Sequence, residues 1–353
     1  KANAIINEHF DFMKSFVVNV FNLFQERALL AQGELLSTKM FHLFLEENGV
    51  ESALLPALDF MRINRDEEPD MEYIRDHAAI EIKKRPGIKL FITQGYICRN
   101  SYGEIDNLKR GGSDYTASIV GNAVNASEIQ IWTDIDGMHN NDPRVVDKTK
   151  PVAKLSFDEA AELAYFGAKI LHPQSICPAA QLGIPVKLLN TMDPAAKGTT
   201  ISNETGEGFV KAIAAKEGIT AIKIKSARML LAYGFLRSVF EVFERYKTPI
   251  DMITTSEVAV SLTIDDTSNL DKIIQELEAF GVVEVDTDQS IVCIVGNMVS
   301  ETEGAAIKIF EALKNVPVRM ISYGGSRHNI SVVVEAKYKQ KALQALNSGL
   351  FTF

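Results

Sequence analysis

The feature that most constrains the fold is a weak internal repeat of about 70 residues in the C-terminal half of the chain. The stretch GFLRSVFEVFERYKTPIDMITTSEVAVSLTI (234–264) aligns with TEGAAIKIFEALKNVPVRMISYGGSRHNISVVV (302–334). Each copy predicts a helix, a proline, a turn rich in hydroxyl groups or glycine, and then a strand with alternating apolar residues. Further helices are predicted at 269–280 and 337–347. The resulting order β-α-β-β-α-β predicts two small ferredoxin-like modules, whose exposed sheet edges favour pairing between chains.

The preceding 200 or so residues predict helices that alternate with strands. Helices are predicted over 1–50, which Gly49 would cap, over 113–126 with Ser113 as the N-cap, and over 156–183 with Ser156 and Glu159 as a capping box. Strands are predicted over 89–97, 128–137 and 184–190. This alternation predicts an α/β layer with a mainly parallel sheet, in which ligands bind beyond the carboxyl ends of the strands.

Composition narrows the class of protein. The chain has 46% apolar and 24% charged residues over 353 positions, which is typical of two or three globular domains. A net charge of -9 disfavours nucleic acid as a partner, and no apolar stretch reaches the roughly 20 residues that span a bilayer. Cys98, Cys177 and Cys293 fit neither a disulfide framework nor a zinc site. The sequence therefore predicts a cytoplasmic protein that binds neither nucleic acid nor membranes and has no side-chain metal site.

The stretch LKRGGSDYTAS places charge and flexibility at a predicted helix start. Arg110 offers a planar fork for a carboxylate or phosphate, and Gly111 and Gly112 allow close approach of the backbone. Helix N-terminal amides favour anions, and Asp114 suits an ammonium group. The set fits a zwitterionic or phosphorylated ligand, although an ordinary strand-to-helix turn with a solvated arginine is an equally good interpretation. The P-loop and Rossmann glycine patterns are absent.

Three other stretches carry candidate binding residues. In WTDIDGMHNNDPRVV, Thr133 and Asp134 follow a predicted strand and suit a base or ribose, and a turn at Asp142 would aim Arg144 at phosphates. A surface loop of turn formers is the alternative. Lys169 in FGAKILHP either extends to solvent or meets a charge. In QGELLST, a further carboxylate, Glu34, is predicted at a helix start, where acidic residues are ordinary.

These stretches, in this order, resemble the aspartokinase family of the amino-acid kinase superfamily. The matching segments are QGELLST, FITQGYI, RGGSDYTA, WTDIDGMHNNDPRVV, FGAKILHP, DMITTSEV and RMISYGGSRHNI. The resemblance covers nearly the whole chain and is closest to the monofunctional, lysine-sensitive type. It implies a carbamate-kinase-like three-layer α/β domain followed by two ACT modules, which are small amino-acid-binding domains. The implied boundaries are 1–206 for the kinase, 219–286 for the first ACT domain, and 209–218 with 287–353 for the second.

The resemblance implies ATP-dependent phosphorylation of the side-chain carboxylate of L-aspartate to 4-phospho-L-aspartate, the first step of lysine, threonine and methionine biosynthesis. A carboxylate is already ionised at neutral pH, so no general base is required, and catalysis is mainly positioning and charge neutralisation. Mg²⁺ would be held mainly through the ATP phosphates. Lysine is the implied feedback inhibitor, and pairing of ACT domains implies a homo-oligomer, with a homodimer as its basic form.

The resemblance also implies a role for each matching residue. The implied substrate-binding residues, with Arg110 on the α-carboxylate and Glu34 on the ammonium, are Glu34, Tyr96, Arg110 and Asp114. The implied catalytic residues are Arg110, Asp114 and Lys169. The implied nucleotide-binding residues, with His139 where the family usually has tyrosine, are Thr133, Asp134, His139, Arg144, Lys169 and Ile170. The implied effector-binding residues are Met229, Gly234, Phe235, Leu236, Asp251, Ser256 and Glu257. For Asp251 and Glu257 the alternative is a solvated turn.

One family feature is absent from these 353 residues. The resemblance implies a leading strand with K-F-G-G-T-S, whose lysine and glycines meet the phosphates, and no such motif occurs. The expectation is that these residues alone are catalytically incomplete. Another amino-acid kinase, a non-catalytic amino-acid-sensing regulatory subunit and a purely structural α/β protein are the rival interpretations.

Overall fold

The computed structural model describes residues 1–16, 21–109, 111–167, 172–206, 208–226, 233–297 and 299–352. It forms two compact units, one of residues 1–136 with 170–204 and one of residues 137–169 with 205–353. In the second unit, Ile213 N donates to Asn140 O at 2.9 Å, and Asn141 Nδ2 donates to Leu343 O at 3.1 Å. These bonds help to group 137–169 with the C-terminal residues. The predicted kinase boundary at residue 206 stays a prediction.

Helices and strands alternate along the first part of the chain, whereas from residue 212 onward strands outnumber helices. The helices are α1 (Ala2–Ser15), α2 (Leu23–Glu47), α3 (Ala57–Phe60), α4 (Met71–Lys83), α5 (Gly112–Ala123), α6 (Phe157–Tyr165), α7 (Cys177–Leu182), α8 (Phe235–Arg245), α9 (Leu270–Leu277), α10 (Ala305–Ala312) and α11 (Lys339–Leu350). The strands are β1 (Ala53–Leu55), β2 (Phe91–Thr93), β3 (Ile97–Arg99), β4 (Ile105–Asn107), β5 (Ile129–Thr133), β6 (Lys154–Ser156), β7 (Val186–Asn190), β8 (Thr199–Ser202), β9 (Ala212–Lys225), β10 (Met252–Thr255), β11 (Ala259–Ile264), β12 (Val282–Val295), β13 (Met320–Tyr323) and β14 (Asn329–Glu335). None of the helices in the part of the chain described here is long and apolar enough to cross a membrane.

The first unit contains the parallel pairing that the alternation predicts. β1 pairs with β2 in parallel, and β5 pairs with β7 in parallel, while β8 lies antiparallel to β7. Fully buried apolar side chains, among them Phe60, Ile74 and Ile119, form its core. The predicted α/β class is therefore confirmed, and the carboxyl ends of β5 and β7 lie side by side.

The predicted single strand over 89–97 is wrong, because a turn at residues 94–96 separates β2 from β3. The Gln94 amide is buried and bonded at both ends: Oε1 accepts from Ala57 N, and Nε2 donates to Thr38 Oγ1, each at 2.8 Å. Tyr96 then adopts a left-handed backbone with φ 69°. The Tyr96 backbone N–H then donates to the side-chain hydroxyl of Thr116 at 3.0 Å and not to a neighbouring strand.

The predicted helix boundaries need two corrections. α5 begins at Gly112 with Gly111 as its N-cap, so Ser113 lies inside the first turn and is not the cap. The predicted helix over 156–183 is not continuous, because α6 ends at Tyr165 and Gly167 has φ +113°, a left-handed backbone that no helix accommodates.

Two predicted helix ends are confirmed. Ser156 Oγ accepts from Glu159 N at 3.1 Å, and Glu159 Oε2 accepts from Ser156 N at 2.7 Å, which is the predicted capping box. Gly49 follows the C-cap of α2 with φ +71°, as a C-terminal cap requires.

The second unit is built on a six-stranded antiparallel sheet in the order β10-β11-β9-β12-β14-β13. β9 and β12 are each 14 residues long and pair along their length, with a register shift near Gln289. Residues 220–225 of β9 also pair with β11, whereas residues 289–295 of β12 pair with β14. This arrangement gives the predicted β-α-β-β-α-β order, while the division of the chain between two modules stays a prediction.

Candidate functional site

The turn before α5 is tightly packed around its glycines. A β-carbon added at Gly111 would lie 2.6 Å from that of His172, and Gly111 has φ +72°. A β-carbon at Gly112 would lie 2.7 Å from Cδ2 of Tyr96, and one at Gly95 would lie 3.0 Å from Ser113 Oγ. Both glycines of the RGG motif are therefore required by neighbouring protein groups. Arg110, which precedes them, lies outside the described residues.

Tyr96 is fixed against the start of α5 by its backbone. Tyr96 N donates to Thr116 Oγ1 at 3.0 Å, and Leu108 N donates to Tyr96 O at 2.8 Å. Burial raises the pKa of the Tyr96 phenol, and the negative charges of Asp106 and Glu34 raise it further. The phenol therefore stays protonated and can act as a hydrogen-bond donor.

Two carboxylates of the predicted substrate set lie in this unit. Asp114 is in the first turn of α5, and burial raises the pKa of its carboxyl group. Glu34 is half-buried and sits in the middle of α2, so its predicted position at a helix start is wrong. The cause is that α2 begins at Leu23, where Asn22 accepts from Gln25 N at 3.0 Å and caps the helix. Glu34 is close enough to Tyr96 for its negative charge to raise the pKa of the phenol.

Thr133 and Asp134 lie at the carboxyl end of β5, beside the end of β7. Thr191 N donates to Thr133 O at 2.8 Å, which joins the two strand ends. Thr133 Oγ1 accepts from Ile135 N at 3.1 Å, and Asp134 is exposed. Their position is the one at which open α/β sheets bind ligands.

Two of the other predicted nucleotide residues, His139 and Arg144, belong to the second unit. His139 Nδ1 lies 2.8 Å from Thr149 Oγ1. Arg144 makes two parallel bonds to Asp142, with Nε to Oδ1 at 2.9 Å and Nη2 to Oδ2 at 2.8 Å. The Arg144 side chain bonded to Asp142 holds the pKa of that carboxyl below its usual range. The predicted turn at Asp142 is present, since Val145 N and Val146 N both donate to Asp142 O. Lys169 and Ile170 lie outside the described residues.

The predicted effector residues spread over several elements of the second unit. Gly234 is the left-handed N-cap of α8, Phe235 packs edge-to-face on Phe280 at 6.2 Å, and the Leu236 side chain is exposed. Ser256 N donates to Ala259 O at 2.9 Å across the β10–β11 turn, and Glu257 is exposed in that turn. Met229 lies outside the described residues.

Asp251 is the exception among these effector residues, because its side chain is only 1% exposed. Lys216 Nζ donates to Asp251 Oδ1 at 2.7 Å and lies 2.8 Å from Asp265 Oδ2. The Tyr165 hydroxyl donates to the same Oδ1 at 3.2 Å. We call Tyr165, Lys216, Asp251 and Asp265 the Asp251 cluster. For Asp251, the alternative of a solvated turn is wrong.

Sequence reasoning missed the three partners of Asp251. Lys216 lies among alanines in KAIAAKEG, and the sequence pattern of this strand does not show which of its side chains are buried. Tyr165 directly precedes FGAKILHP, the motif in which Lys169 is the candidate residue. Burial raises the pKa of Asp251 against the opposing effect of Lys216, and the bonds to both carboxylates raise the pKa of Lys216 despite its own burial.

Comparison with known proteins agrees with this architecture. The amino acid kinase family model matches residues 4–190, and an ACT domain model matches residues 292–350. Over 335 residues the chain is 38% identical to lysine-sensitive aspartokinase 3 of Escherichia coli K12, covering 92% of this chain and 75% of that protein. It is 34% identical over 372 residues to the chloroplastic aspartokinase 3 of Arabidopsis thaliana, covering 99% of this chain and 66% of that protein.

Solved structures give the same result. The chain matches E. coli aspartokinase III in complex with aspartate and ADP (R-state) with a TM-score of 0.86 at 35% identity, covering 99% of this chain and 81% of that one. It matches the complex of the same enzyme with lysine and aspartate (T-state) with a TM-score of 0.82, again at 35% identity, covering 99% and 82%. The chain belongs to the aspartokinase family of amino acid kinases, the enzymes that phosphorylate aspartate.

Proposed function

We propose that the full-length protein transfers the γ-phosphoryl group of ATP to the side-chain carboxylate of L-aspartate, and that lysine inhibits this reaction. The observation that carries the proposal is the likeness to lysine-sensitive aspartokinase 3 of E. coli across 92% of the chain. The structure of that enzyme with aspartate and ADP, and the one with lysine, support the choice of substrates and effector.

The substrate end of the proposed site lies around the start of α5. The α-carboxylate of aspartate would meet Arg110 and the N-terminal amides of α5, because a helix N-terminus carries partial positive charge. Its ammonium would meet Glu34 and Asp114, and an ammonium partner would favour the ionised form of the half-buried Asp114. Tyr96, whose phenol stays protonated, would donate a hydrogen bond.

The nucleotide end would use Thr133, Asp134, His139, Arg144, Lys169 and Ile170. In the reaction, an oxygen of the aspartate carboxylate forms a bond to the γ-phosphorus as the bond to the β–γ bridging oxygen breaks, which gives 4-phospho-L-aspartate and ADP. The carboxylate needs no proton removed, which fits a site built on positioning and cationic side chains. No group of three or more His, Cys, Asp or Glu residues that could hold a metal occurs within the described ranges. Mg²⁺ held by the phosphates, supplying charge neutralisation, fits this chain.

The effector end of the proposal rests on Asp251 and its neighbours in the second unit. Lysine would place an ammonium at Asp251 or Glu257 and its carboxylate at backbone amides near Gly234, with Met229, Phe235, Leu236 and Ser256 around it. The two strands at the ends of the order, β10 and β13, each form ladder hydrogen bonds with only one strand among the described residues. Such edges favour association, so the protein would act as a homo-oligomer, with a homodimer as its basic form.

The experiment is an ATP- and aspartate-dependent hydroxamate assay on the full-length protein, with and without lysine. We expect aspartyl hydroxamate to form, and to decrease with lysine but not with an equal concentration of an unrelated amino acid. Absence of any acyl phosphate would refute the kinase. Lysine binding without acyl phosphate would favour the amino-acid-sensing subunit.

A substitution at Arg110 tests the substrate role more sharply. Arg110→Ala should raise the KM for aspartate by roughly 10–100-fold, since it removes charge-assisted bonds, while the KM for ATP changes less than about twofold. The matched control is Lys109→Ala at the neighbouring exposed cation, which pairs with Glu67 and should change neither constant. Equal losses for aspartate and ATP would contradict the assignment.

A further inference from the structure

The Asp251 cluster connects the end of α6 to the six-stranded sheet, and its negative charges outnumber its positive charges. Lys216 supplies one positive charge, whereas Asp251 and Asp265 supply two negative charges, so the cluster is short of one cation. Within the described residues, Asp251 Oδ2 is buried and has no hydrogen-bond partner. A buried carboxylate oxygen without a partner is costly, and a primary ammonium is the group that would satisfy both its charge and its lone pairs.

Tyr165 differs from the other members of the cluster in how it is held. It ends α6, whereas Lys216, Asp251 and Asp265 all belong to β9 or to residues bordering β10 and β11. Tyr165 is 42% exposed as a residue, and its hydroxyl lies 3.2 Å from Asp251 Oδ1, compared with 2.7 Å for the Lys216 ammonium. The Tyr165 contact is therefore the weaker of the two bonds to Oδ1.

Gly167, two residues after Tyr165, packs directly against β9. A β-carbon added at Gly167 would lie 2.2 Å from the carbonyl oxygen of Ala215, the residue before Lys216. The Tyr165 ring also contacts Phe166 edge-to-face at 5.0 Å and lies under the Lys216 ammonium at 4.8 Å. Gly167, which packs on the residue before Lys216, is two residues from Lys169 in the sequence.

We infer that the Asp251 cluster couples effector binding to the segment after α6, and that the Tyr165 hydroxyl is the contact through which the coupling acts. The inference rests on the proposed function, in which lysine binds at Asp251 and Lys169 meets the phosphates. Because Oδ2 is closed to solvent, an arriving ammonium reaches it only when a neighbouring group moves. The added cation also competes with Lys216 and Tyr165 for one carboxylate, and the neutral hydroxyl is the donor that leaves. Tyr165 is thus a positioning residue for the segment with Lys169.

The test separates lysine binding from lysine inhibition in the full-length protein. Tyr165→Phe removes the hydroxyl and keeps the ring. We expect the Kd for lysine, measured by calorimetry, to stay within about threefold or to fall, while half-inhibition requires roughly tenfold more lysine. Lysine should also change amide hydrogen exchange across residues 163–171 in the unsubstituted protein and not in Tyr165→Phe.

Two further variants serve as controls. Tyr246→Phe deletes a hydroxyl that bonds to Glu276 at 2.7 Å elsewhere in the same unit, and it should leave lysine binding, inhibition and exchange unchanged. Asp251→Asn should weaken lysine binding itself. Inhibition of Tyr165→Phe at the same lysine concentration as the unsubstituted protein, or losses of binding and inhibition in equal proportion, would overturn the inference. If no acyl phosphate forms at all, calorimetry and exchange still decide whether the coupling exists.

Discussion

The two copies of the sequence repeat place opposite charges at the same position of the same backbone. Asp251 precedes β10 and donates its backbone N–H to Thr263 O at 2.9 Å, while Arg319 precedes β13 and donates its own to Val333 O at 2.7 Å. In both copies, the acceptor belongs to the residue that faces the first residue of the short strand. The backbone positions are therefore equivalent, and only the side chains differ.

Their surroundings differ as much as their charges. The Asp251 side chain is 1% exposed and meets a cation on a central strand, whereas Arg319 is 45% exposed and pairs with Asp286 at the surface. A surface pair of this kind contributes little to stability, whereas a buried one matters greatly once either partner is removed. The same backbone position accepts either a negative or a positive side chain, so the fold does not require a particular charge there. Of the two copies, only the first has a buried carboxylate at this position, and a carboxylate suits an amine ligand.

The largest expected difference between the copies is in stability. Asp251→Ala should lower the free energy of unfolding by about 2–4 kcal/mol, because it leaves Lys216 partly buried with Asp265 as its remaining partner in the cluster. Arg319→Ala should lower it by about 0–1 kcal/mol. Urea denaturation of both variants checks this. Equal losses of unfolding free energy in the two variants would mean that the Asp251 ion pair is no more buried in solution than the Arg319 ion pair.

A smaller difference should appear in the pH dependence of stability. Burial raises the pKa of Asp251 above its ordinary value of 3.8, so the folded protein binds this proton more tightly than the unfolded chain. The resulting stabilisation is fully present below pH 3.8 and is lost as pH rises through the raised pKa. Relative to Asp251→Asn, the unsubstituted protein should therefore lose stability as pH rises above 3.8, by at most about 1.4 kcal/mol per pH unit.

Denaturation of both proteins at several pH values from about 3.5 upward measures this trend. Arg319→Gln is the matched control, because a guanidinium keeps its charge throughout that range, and its difference from the unsubstituted protein should change less with pH. If the unsubstituted protein instead gains unfolding free energy relative to Asp251→Asn as pH rises, the folded state lowers the pKa of Asp251.

No difference is expected at the helix starts of the two copies. Gly234 and Gly304 cap α8 and α10 with φ of 85° and 73°, and neither would place a β-carbon within 4 Å of another group. Alanine at either position should lower the free energy of unfolding by about 1–2 kcal/mol, the cost of a left-handed backbone with a side chain. Thermal or urea unfolding of the two variants provides the comparison, and clearly unequal costs would show that the two turns are not equivalent.

Local rules predicted the parts of this molecule that local interactions determine. The capping box at Ser156 and Glu159, the cap at Gly49 and the repeated helices of the second unit depend on residues close in sequence, and all are present. The match of the residues to a known family then supplied the class of fold and the class of enzyme. Neither result required knowledge of distant contacts.

Errors arose where partners distant in sequence decide the structure. The strand over 89–97 breaks because Gln94 bonds to Thr38 and Ala57, which are 56 and 37 residues away. α5 begins one residue before Ser113 because Gly111 and Gly112 face His172 and Tyr96. Asp251 is buried by Lys216 and Tyr165, and no spacing rule connects these three positions. Burial of single polar side chains in turns is therefore the property that the sequence predicted least well.

β9 and β12 run without interruption through both halves of the six-stranded sheet, and this has a consequence for how the region can be divided. The half with β10 and β11 is continuous over residues 220–286, whereas the half with β13 and β14 takes its strands from the stretches on either side, so a cut between the halves severs β9 or β12. A protease nick inside either long strand would damage both halves at once. Gene fusions and truncations that preserve this region should therefore have their junctions before Ala212 or after α11, which ends at Leu350 and packs into the same core, and never between the two copies.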